Sequence, residues 1–504
     1  MDILTQTISL LFRRRQKEIE RYAQEADVIQ RKQLHALLAT ARRTEWGEKY
    51  GYKSIRTYED FRQHVPLQTY EEVKPYVMRM INGQRNVLWP SVVRWYAKSS
   101  GTTNDKSKFL PVTPEILKGC HYKGGFDCVA LYLRNTPDSH FFSKKGLILG
   151  GSHSPSPLNA RSHCGDLSAV LLQNLNPLVN LIRVPEKRII LMDEWESKIR
   201  AIVESTWNQD VNSLSGVPSW MLVLIKAVLK KAGKEYLTEV WPHMEVFFHG
   251  GISFEPYRDQ YKALIPSDRM HYMETYNASE GFFGIQDDPA DPSLLMMLDY
   301  GIFYEFIPMG EVGRPHPTVL PLEAVETGKN YALVITTSGG LWRYLIGDTV
   351  RFTSLSPYKF VISGRTKHFI NAFGEELMVD NADKAIAMTC RRTGAKVKEY
   401  TAAPLFMLDR AKGRHQWFIE FDQTPPSLDE FARLLDGFLQ KLNSDYEAKR
   451  YKEISLQALE IIPAREGVFY EWLKTKGKLG GQHKIPRLSN DRRHIEELLE
   501  INAR

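Results

Sequence analysis

The sequence has few cysteines and no long hydrophobic run, and both absences narrow its class. Its 504 residues include four cysteines, with no CxxC pair and no Cys/His cluster at zinc spacing. This pattern excludes a disulfide framework and a structural zinc site, and it is typical of a reducing cytosol. The longest apolar run, at Met221–Ile225, falls far below the roughly 20 residues that span a bilayer. The basic residues Arg13–Arg15 follow the apolar start, whereas a signal peptide carries them before it, so we expect a soluble, cytoplasmic protein without a membrane span.

A strong excess of charge of either sign is also lacking. Lys and Arg total 67 against 60 Asp and Glu, which leaves a formal net charge of +7. Nucleic-acid-binding domains concentrate basic residues on one face, so this small excess does not indicate a nucleic-acid partner. Hydrophobic residues make up 43% and charged residues 25% of the chain, values typical of globular proteins. A length of 504 residues predicts two or three domains.

The order of secondary-structure signals predicts an α/β fold. The first 85 residues carry mainly helical patterns, and we expect the first helix to pack on the body of the protein, the alternative being a membrane-touching amphipathic helix. From about residue 90, buried strands alternate with helices, which is typical of a mostly parallel sheet. Arg188–Met192 is one such predicted strand and Ser219–Ala232 one such helix. Beyond residue 290 strands dominate, with a turn at Ser338–Gly340, and this predicts a hairpin or small barrel.

We place the main domain boundary near residue 364. Beyond it, Asn381–Arg392 and Ser427–Asn443 have helical patterns, and the strand-like segment Trp417–Phe421 lies between them. This is the pattern of a small α+β domain. The prediction is therefore a large N-terminal domain over residues 1–363 and a smaller, mobile C-terminal domain over residues 364–504.

The most distinctive stretch is a hydroxyl-rich loop at Ser99–Lys108. Strand-forming residues flank it on both sides, so the sequence predicts a polar turn between two strands. Its short side chains leave backbone N–H groups accessible to a polyanion, and Lys106 and Lys108 add charge that favours phosphate. The loop lacks the GxxxxGK[ST] pattern of the usual phosphate loop. The alternative for such a loop taken alone is a solvated hairpin.

Four further segments carry groups suited to a nucleotide. Tyr276–Gly284 holds an aromatic ring that can stack on a base and a carboxylate that suits Mg²⁺, a cation that prefers oxygen ligands. Tyr344–Asp348 predicts a strand that ends in an acid, which is placed to accept hydrogen bonds from ribose hydroxyls. The other two are Gly364–Glu375 and Gly480–Arg487, the latter a glycine pair followed by Lys484. Each segment alone also fits a structural role, and it is their combination in one chain that indicates a site.

In this order the segments resemble the motifs of the adenylate-forming superfamily, which includes acyl-CoA ligases, peptide-synthetase adenylation domains and firefly luciferase. Within it the chain most resembles the auxin-responsive (Gretchen Hagen) family of acyl-acid amido synthetases. The resemblance spans roughly residues 90 to 490. The matching motifs are Ser-Ser-Gly-Thr-[Ser/Thr] with a later lysine at Ser99–Lys108, Tyr-x-x-Ser-Glu at Tyr276–Glu280, a Gly-Asp strand at Arg343–Asp348, the hinge Gly364-Arg365, and Gln-[aromatic or His]-Lys-x-Pro-Arg at Gln482–Arg487.

The chain departs from the family pattern in several places. Asn104-Asp105 stands where a glycine commonly follows the threonines. Arg343 precedes Tyr344, and Trp342 stands where the family often has the first tyrosine of Tyr-Arg-Tyr, which bears on the acyl and adenine pockets. Lys367 occupies a hinge position that is commonly aspartate in the wider superfamily.

The resemblance implies a two-step reaction. ATP first converts a carboxylic acid into an acyl adenylate with release of pyrophosphate, and an amine, expected to be an amino acid, then displaces AMP to form an amide. ATP and Mg²⁺ are the implied cofactors, and a small carboxylic acid and an amine are the implied substrates. The alternatives are an acyl-CoA ligase with the same first step and a nucleotide-binding regulator whose catalysis has decayed. The sequence does not indicate the acid, the amine or the oligomeric state.

The resemblance also implies a role for individual residues, with Lys484, Lys108 and Arg365 as the catalytic ones. Lys484 would bridge the α-phosphate and the substrate carboxylate as the small domain rotates about the hinge. The β- and γ-phosphates would be bound by the loop residues Ser99, Ser100, Gly101, Thr102 and Thr103 and by Lys108. Tyr276, Gly250 and Gly251 would border the adenine, and the neighbouring Ser279 would also contact the nucleotide. Asp348 and Arg365 would bind the ribose, and Glu280 would bind the metal.

Overall fold

The structure is a computed structural model that describes residues 3–99, 108–151, 156–175, 179, 182–192, 194–366, 369–370, 372–373, 375, 377–406, 413–450, 456–477 and 485–504. The helices are α1 (Ile3–Glu20), α2 (Tyr22–Ala41), α3 (Glu45–Lys49), α4 (Tyr58–His64), α5 (Tyr70–Ile81), α6 (Pro114–Ile116), α7 (Lys123–Asn135), α8 (Leu167–Gln173), α9 (Lys187–Ile190), α10 (Trp195–Thr206), α11 (Pro218–Ala232), α12 (Leu237–Val240), α13 (Arg258–Leu264), α14 (Val379–Thr393), α15 (Leu428–Leu442), α16 (Ser444–Arg450), α17 (Val468–Thr475) and α18 (Arg493–Asn502).

The strands in the same residues are β1 (Trp95–Ser99), β2 (Lys108–Val112), β3 (Lys145–Ile148), β4 (Ser156–Pro157), β5 (His163–Gly165), β6 (Arg183–Val184), β7 (Val211–Gly216), β8 (Val246–Gly250), β9 (His271–Ala278), β10 (Gly281–Ile285), β11 (Leu294–Met296), β12 (Ile302–Pro308), β13 (Leu320–Pro321), β14 (Asn330–Thr337), β15 (Tyr344–Leu355), β16 (Tyr358–Arg365), β17 (Phe369–Ile370), β18 (Leu377–Met378), β19 (Lys396–Phe406), β20 (Gly413–Gln423) and β21 (Glu460–Ala464).

A mixed twelve-stranded sheet forms the centre of the N-terminal part. Its strand order is β13-β12-β14-β15-β16-β11-β10-β9-β8-β7-β3-β6. Parallel pairing joins β6, β3, β7, β8 and β9, and helices α11 to α13 lie between the last three of these strands in the chain, as parallel connections require. The remaining neighbours pair antiparallel. The predicted α/β class is confirmed, and the parallel part of the sheet is the smaller one.

Local signals placed some helices correctly and misplaced one strand. Helix α11 begins at Pro218 and ends before Gly233, whose φ of 65° is the left-handed conformation that glycine adopts at a helix end. Arg188–Met192, predicted as a buried strand, was wrong, because Lys187–Ile190 forms the short helix α9. Only Ile190 in that helix is fully buried. A short apolar run does not distinguish a strand from one buried helical face.

The first helix packs on the body of the protein, as predicted. Phe12 and Ile19 enter the central core, and the Arg15 guanidinium lies between two carboxylates, 2.8 Å from Asp127 and 2.6 Å from Asp299. A buried charge is tolerated when it is paired in this way. None of the helices in the described residues is both long enough and apolar enough to cross a bilayer.

The C-terminal part is built on the three-stranded sheet β19-β20-β21. Helices α14 and α15 pack on each other beside this sheet and bury Ile386 and Leu435 in a core of its own. The chain enters this part through β16, which pairs with β15 in the large sheet and ends at Arg365. Arg391 of α14 contacts Glu255 of the N-terminal part at 2.7 Å. The boundary near residue 364 therefore falls at the end of the last long strand of the large sheet, and the division into a body and a mobile domain stays a prediction.

Candidate active site

The hydroxyl-rich loop joins two paired strands, as predicted. Strands β1 and β2 are antiparallel, with Ser99 opposite Lys108 at the base of the loop. Residues 100–107, which include the predicted phosphate contacts Ser100, Gly101, Thr102 and Thr103, lie outside the described residues, as does the side chain of Ser99. The Lys108 ammonium lies 3.4 Å from the Tyr344 hydroxyl and above the rings of Tyr70 and Tyr344.

Tyr276, Asp348 and Arg365 form one hydrogen-bonded group. The Tyr276 hydroxyl donates to one carboxylate oxygen of Asp348 at 2.5 Å, and Nε of Arg365 donates to the other oxygen at 2.8 Å. Asp348 and Arg365 are directly opposite each other on the antiparallel pair β15 and β16. The Asp348 carboxylate raises the pKa of the Arg365 guanidinium. Burial, reinforced by this carboxylate, raises the pKa of the Tyr276 hydroxyl well above 10.0.

Asp348 lies inside a strand, whereas the sequence predicted an acid at a strand end. Strand β15 continues to Leu355, and its register against β14 shifts around Asp348. Gly347 makes this irregularity possible, because its φ of 91° is strained for any residue with a Cβ atom. Such bulges re-aim a side chain without ending the strand, and here the bulge turns Asp348 towards Tyr276.

Ser279 and Glu280 form the turn between β9 and β10, and both are buried. Burial raises the pKa of the Glu280 carboxyl, and the positive charges of Lys108 and Arg365 oppose that rise. The Glu280 carboxyl therefore interacts electrostatically both with Lys108, at the base of the hydroxyl-rich loop, and with Asp348 of the large sheet. The Lys108 contact with Tyr344 and the Tyr276 hydrogen bond to Asp348 show that the first, second and third predicted motifs lie close together.

The glycine pair Gly250-Gly251 ends β8 beside β9. A Cβ atom at Gly250 would lie 2.3 Å from the Thr275 carbonyl oxygen, closer than atoms tolerate. Gly251 has a φ of 88°, a conformation that suits glycine. The two residues therefore keep the sheet edge free of side chains next to Tyr276.

One cavity of about 1950 Å³ lies against these residues. Seven of the sequence-predicted site residues line it: Gly250, Gly251, Tyr276, Ser279, Glu280, Asp348 and Arg365. Lys484 lies outside the described residues, but Ile485 and Arg487, which follow it in the same motif, also line the cavity. The cavity is therefore bounded by both the large sheet and the C-terminal part.

Two buried histidines of this cavity were not predicted. His249 precedes the glycine pair, stacks on Phe254 at 4.2 Å and has a pKa lowered to about 3 by burial. Nδ1 of His121 lies 2.9 Å from the Asn277 side-chain oxygen, inside the Tyr-x-x-Ser-Glu motif, and burial lowers the pKa of His121 to about 4. Both are therefore neutral at pH 7. His249 is adjacent to a predicted segment, whereas nothing in the sequence relates His121 to position 277.

An unpredicted polar group lies where the two parts of the chain meet. Glu274 lines the cavity two residues before Tyr276, on the same face of β9. Its carboxylate forms no hydrogen bond or ion pair with a described residue, and burial raises its pKa to about 7 against the opposing charge of Arg258. Across the cavity, Arg487 pairs with Asp383 at 2.6 Å. The periodicity of two along β9 was the only signal that could have identified Glu274.

The departures at residues 342 and 343 lie in the core of the fold. Trp342 is fully buried and donates its indole N–H to the Leu88 carbonyl oxygen at 3.1 Å. Arg343 has a φ of 44°, and its guanidinium pairs with the buried Glu305 at 2.9 Å. Neither residue lines the cavity. These two departures therefore stabilise the hairpin that carries Asp348 and do not shape a substrate pocket.

Comparison with protein families gives the same assignment along nearly the whole chain. The GH3 family N-terminal domain matches residues 15–270, the GH3 family central domain residues 295–365 and the GH3 family C-terminal domain residues 380–493. The chain belongs to the GH3 family. The predicted family is confirmed.

Individual GH3 relatives are distant in sequence but match over most of their length. The chain is 24% identical to the indole-3-acetic acid-amido synthetase GH3.3 of Arabidopsis thaliana, over 93% of this chain and 90% of that protein. It is 23% identical to the 4-substituted benzoates-glutamate ligase GH3.12 of the same plant, over 94% of both chains. These relatives are acid–amino acid ligases, which confirms the predicted class of enzyme, an ATP-dependent, AMP-forming acyl-acid amido synthetase.

Solved structures show the same fold. The AtGH3.15 acyl acid amido synthetase in complex with 2,4-DB superposes with a TM-score of 0.78 at 18% identity, covering 100% of this chain and 97% of that one. A 2-hydroxyisobutyryl-CoA ligase in the postadenylation state superposes with a TM-score of 0.60 at 11% identity, covering 94% and 92%. The fold is therefore that of adenylate-forming enzymes in general, and it is common to amide-forming and thioester-forming members.

Proposed function

We propose that this GH3 protein joins a carboxylic acid to the amino group of an amino acid, using the cavity described above for the adenylation step. The observation that carries this proposal is the convergence of Tyr276, Asp348 and Arg365 in one hydrogen-bonded group, with Glu280 and the Gly250-Gly251 edge in the same cavity. These groups come from four separate segments of the sequence. They supply an aromatic face, a carboxylate that can accept hydrogen bonds from ribose, a cation and a second carboxylate, which together suit a nucleoside triphosphate.

The nucleotide contacts follow from the position of each group. Asp348 accepts the ribose hydroxyls, and Arg365 holds the Asp348 carboxylate in place and faces ribose or phosphate. The Tyr276 ring and the side-chain-free edge at Gly250 border the adenine. Lys108 and the loop Ser99–Thr103 bind the β- and γ-phosphates, since the base of that loop lies within electrostatic range of Glu280.

Glu280 fits Mg²⁺ as a single carboxylate ligand. No group of three or more His, Cys, Asp or Glu side chains in the described part of the chain is arranged as a metal site. Mg²⁺ is commonly held by one or two carboxylates together with substrate phosphates and water, so one buried carboxylate beside the phosphate loop suits it. When bound, the metal would neutralise charge on the triphosphate.

The first step forms one bond and breaks another at the α-phosphorus. A carboxylate oxygen of the acid attacks the α-phosphorus of ATP, the bond to the β-phosphate oxygen breaks, and pyrophosphate leaves with its electron pair. The residues of the chain align two anions and offset their repulsion. Lys484 supplies the mobile positive charge between the α-phosphate and the carboxylate, a role that suits a compact ammonium on a flexible chain.

In the second step the amine nitrogen attacks the acyl carbon, the bond to the AMP oxygen breaks, and the amine gives up a proton to solvent. We propose that residues 364–504 act as a lid that rotates about the Gly364–Lys367 segment between the two steps. Position 364 suits such a hinge, because Gly364 has a φ of 150° near the end of β16, the last long strand of the large sheet. The four cysteines, all among the described residues, form no disulfide, which supports a reducing compartment, the cytoplasm.

The decisive experiment measures the two steps separately. Acid-dependent exchange of radiolabelled pyrophosphate into ATP reports the first step, and product analysis with ATP, the acid and either an amino-acid mixture or CoA reports the second. The expected result is exchange followed by an amide and AMP. Thioester formation with CoA and no amide would assign an acyl-CoA ligase instead. ATP binding without exchange for any acid would favour a nucleotide-binding regulator.

A further inference from the structure

The cavity is larger than a nucleotide and a small acid require. Ligand sites usually measure 300–1,000 Å³, whereas this cavity measures about 1950 Å³. Besides the proposed nucleotide-binding residues, the cavity is lined by apolar residues of α1, of α7 and of the turn that follows α7, among them Phe12, Phe126 and Phe141. Phe248 is on β8, two residues before Gly250 and therefore on the same face of the strand, and it lines the same cavity.

From Phe248 a row of aromatic rings leads to the first helix. Phe248 contacts Phe141 with ring centroids 6.1 Å apart. Phe141 contacts Phe142 at 5.1 Å, and Phe142 contacts Phe12 of α1 at 6.2 Å. All four rings line the same cavity. We call this row, Phe248–Phe141–Phe142–Phe12, the aromatic arm.

The arm opens to the surface beside α1. Phe126 of α7 contacts Phe12 with ring centroids 4.3 Å apart and the rings tilted by 32°. Phe126 is 44% exposed, and Leu11 of α1 is 73% exposed. Both also line the cavity. Ile148 and Leu171 line the cavity as well and add further apolar surface. An exposed apolar mouth that continues into a half-buried apolar channel favours an apolar ligand over water.

We propose that the aromatic arm binds the tail of the acid substrate, and that this substrate is a monocarboxylic acid with an uncharged apolar body longer than one aromatic ring. The proposal rests on the adenylation proposed above, which brings the carboxyl group to the α-phosphate of the nucleotide, inside the cavity that the arm also lines. The body then extends along three successive ring contacts of 5.1–6.2 Å. A single-ring acid would occupy only the part of the arm beside Phe248 and would leave the rest of the arm unoccupied. A charged tail would lose its hydration against four phenylalanine rings.

The first test is acid-dependent pyrophosphate exchange with straight-chain saturated monocarboxylic acids of increasing length, compared with benzoate and phenylacetate. Burial of each added methylene is worth about 0.8 kcal/mol, so kcat/KM should rise about fourfold per methylene until the arm is filled. The single-ring acids should be much poorer substrates. Efficient exchange with single-ring acids and none with longer acids would overturn the proposed role of the arm and leave the adenylation proposal intact. Absence of exchange with every acid would instead remove the adenylation proposal.

Two substitutions on α1 form a matched pair. Leu11→Glu places a carboxylate at the mouth of the arm, and Leu4→Glu places one on the same helix, at a residue 52% exposed that does not line the cavity. Leu11→Glu should lower kcat/KM for the longest accepted acids about tenfold or more and leave short acids unaffected. Leu4→Glu should match the parent at every length. Equal profiles for the two variants would overturn the proposal.

A third variant tests the interior of the arm. Val129 lies on α7, one helical turn beyond Phe126, and lines the cavity. Val129→Trp should shorten the longest accepted acid while ATP affinity stays the same. If this variant has a normal melting temperature and an unchanged length profile, the arm does not hold the tail. The exposed position of Leu11 keeps the proposal testable if Val129→Trp fails to fold.

Discussion

The Tyr276 hydroxyl donates a 2.5 Å hydrogen bond to the Asp348 carboxylate, although the two residues are 72 positions apart in the sequence. Tyr276 lies on β9 and Asp348 on β15, and the two strands are separated in the sheet by β10, β11 and β16. The sheet curves enough to bring the two side chains together over the cavity. This contact joins the proposed adenine and ribose sites into a single rigid unit.

Removal of the Tyr276 hydroxyl should weaken both the fold and the nucleotide site. In Tyr276→Phe the Asp348 carboxylate loses one of its two partners, and a buried group that loses a partner costs about 1–3 kcal/mol. We expect a lower free energy of unfolding by about that amount and a KM for ATP raised about tenfold. Tyr272 is the control, because its buried hydroxyl on the same strand has no partner among the described residues. Tyr272→Phe should be neutral for both measurements, and equal effects of the two substitutions would contradict the prediction.

A side chain at Gly250 should separate two paired strands. The added Cβ of Gly250→Ala would lie 2.3 Å from the Thr275 carbonyl oxygen, so β8 and β9 must move apart at the edge of the site. We expect loss of about 1–3 kcal/mol of stability and pyrophosphate exchange reduced by at least tenfold. Gly437 of α15 is the control, since an added Cβ there meets nothing within 4 Å. Gly437→Ala should stabilise the protein by roughly 0.5–1 kcal/mol without changing exchange.

The Glu274 carboxyl should make the free energy of unfolding decrease as the pH rises. Burial raises its pKa from an ordinary 4.5 to about 7, so between these pH values the folded protein holds a proton that the unfolded chain has released. Stability therefore decreases as pH rises through this window. Glu274→Gln should remove the decrease, giving a variant about 2–4 kcal/mol more stable than the parent above pH 7 and nearly equal to it below pH 4.5.

Denaturant unfolding at pH 4.5, 6 and 8 measures this effect. The control is Glu71→Gln on α5. The Glu71 carboxylate is 76% exposed, so this substitution should leave the pH profile unchanged. A parallel shift of Glu274→Gln at all three pH values would mean that the substitution acts through packing rather than through ionisation.

Lys484 should affect chemistry more than binding. Ile485 and Arg487 line the cavity, so this segment reaches the site. Loss of one preorganised charge at a transition state usually costs 10²–10³-fold in rate, and we expect Lys484→Ala to lower pyrophosphate exchange by at least about 100-fold. ATP affinity, measured by calorimetry, should change little. The control Lys474→Ala removes an exposed lysine of α17 and should retain full activity. A normal exchange rate for Lys484→Ala would exclude this lysine from the first step.

Local sequence signals identified much of the fold and several groups of the site. The helical pattern of Ser219–Ala232 placed α11, and the flanking strand formers placed β1 and β2 on either side of the hydroxyl-rich loop. The alternation of apolar runs and helices indicated the α/β class. The same signals failed at Arg188–Met192, because a short apolar run is compatible with either element. They also ended the Asp348 strand too early, since a bulge cannot be distinguished from a strand end by composition.

The sequence by itself determined which chemical groups are present and in what order, because motif spacing and turn chemistry are local properties. Only the tertiary structure decided which of those groups meet. It directed Asp348 to Tyr276 through the bulge at Gly347, enclosed Trp342 and Arg343 in the core, and left Glu274 without a described partner inside the cavity. It also brought together the four phenylalanines of the aromatic arm, which come from β8, from α1 and from the turn between α7 and β3. The physical reason is that these contacts depend on strand order and sheet curvature, and both arise from packing between distant segments.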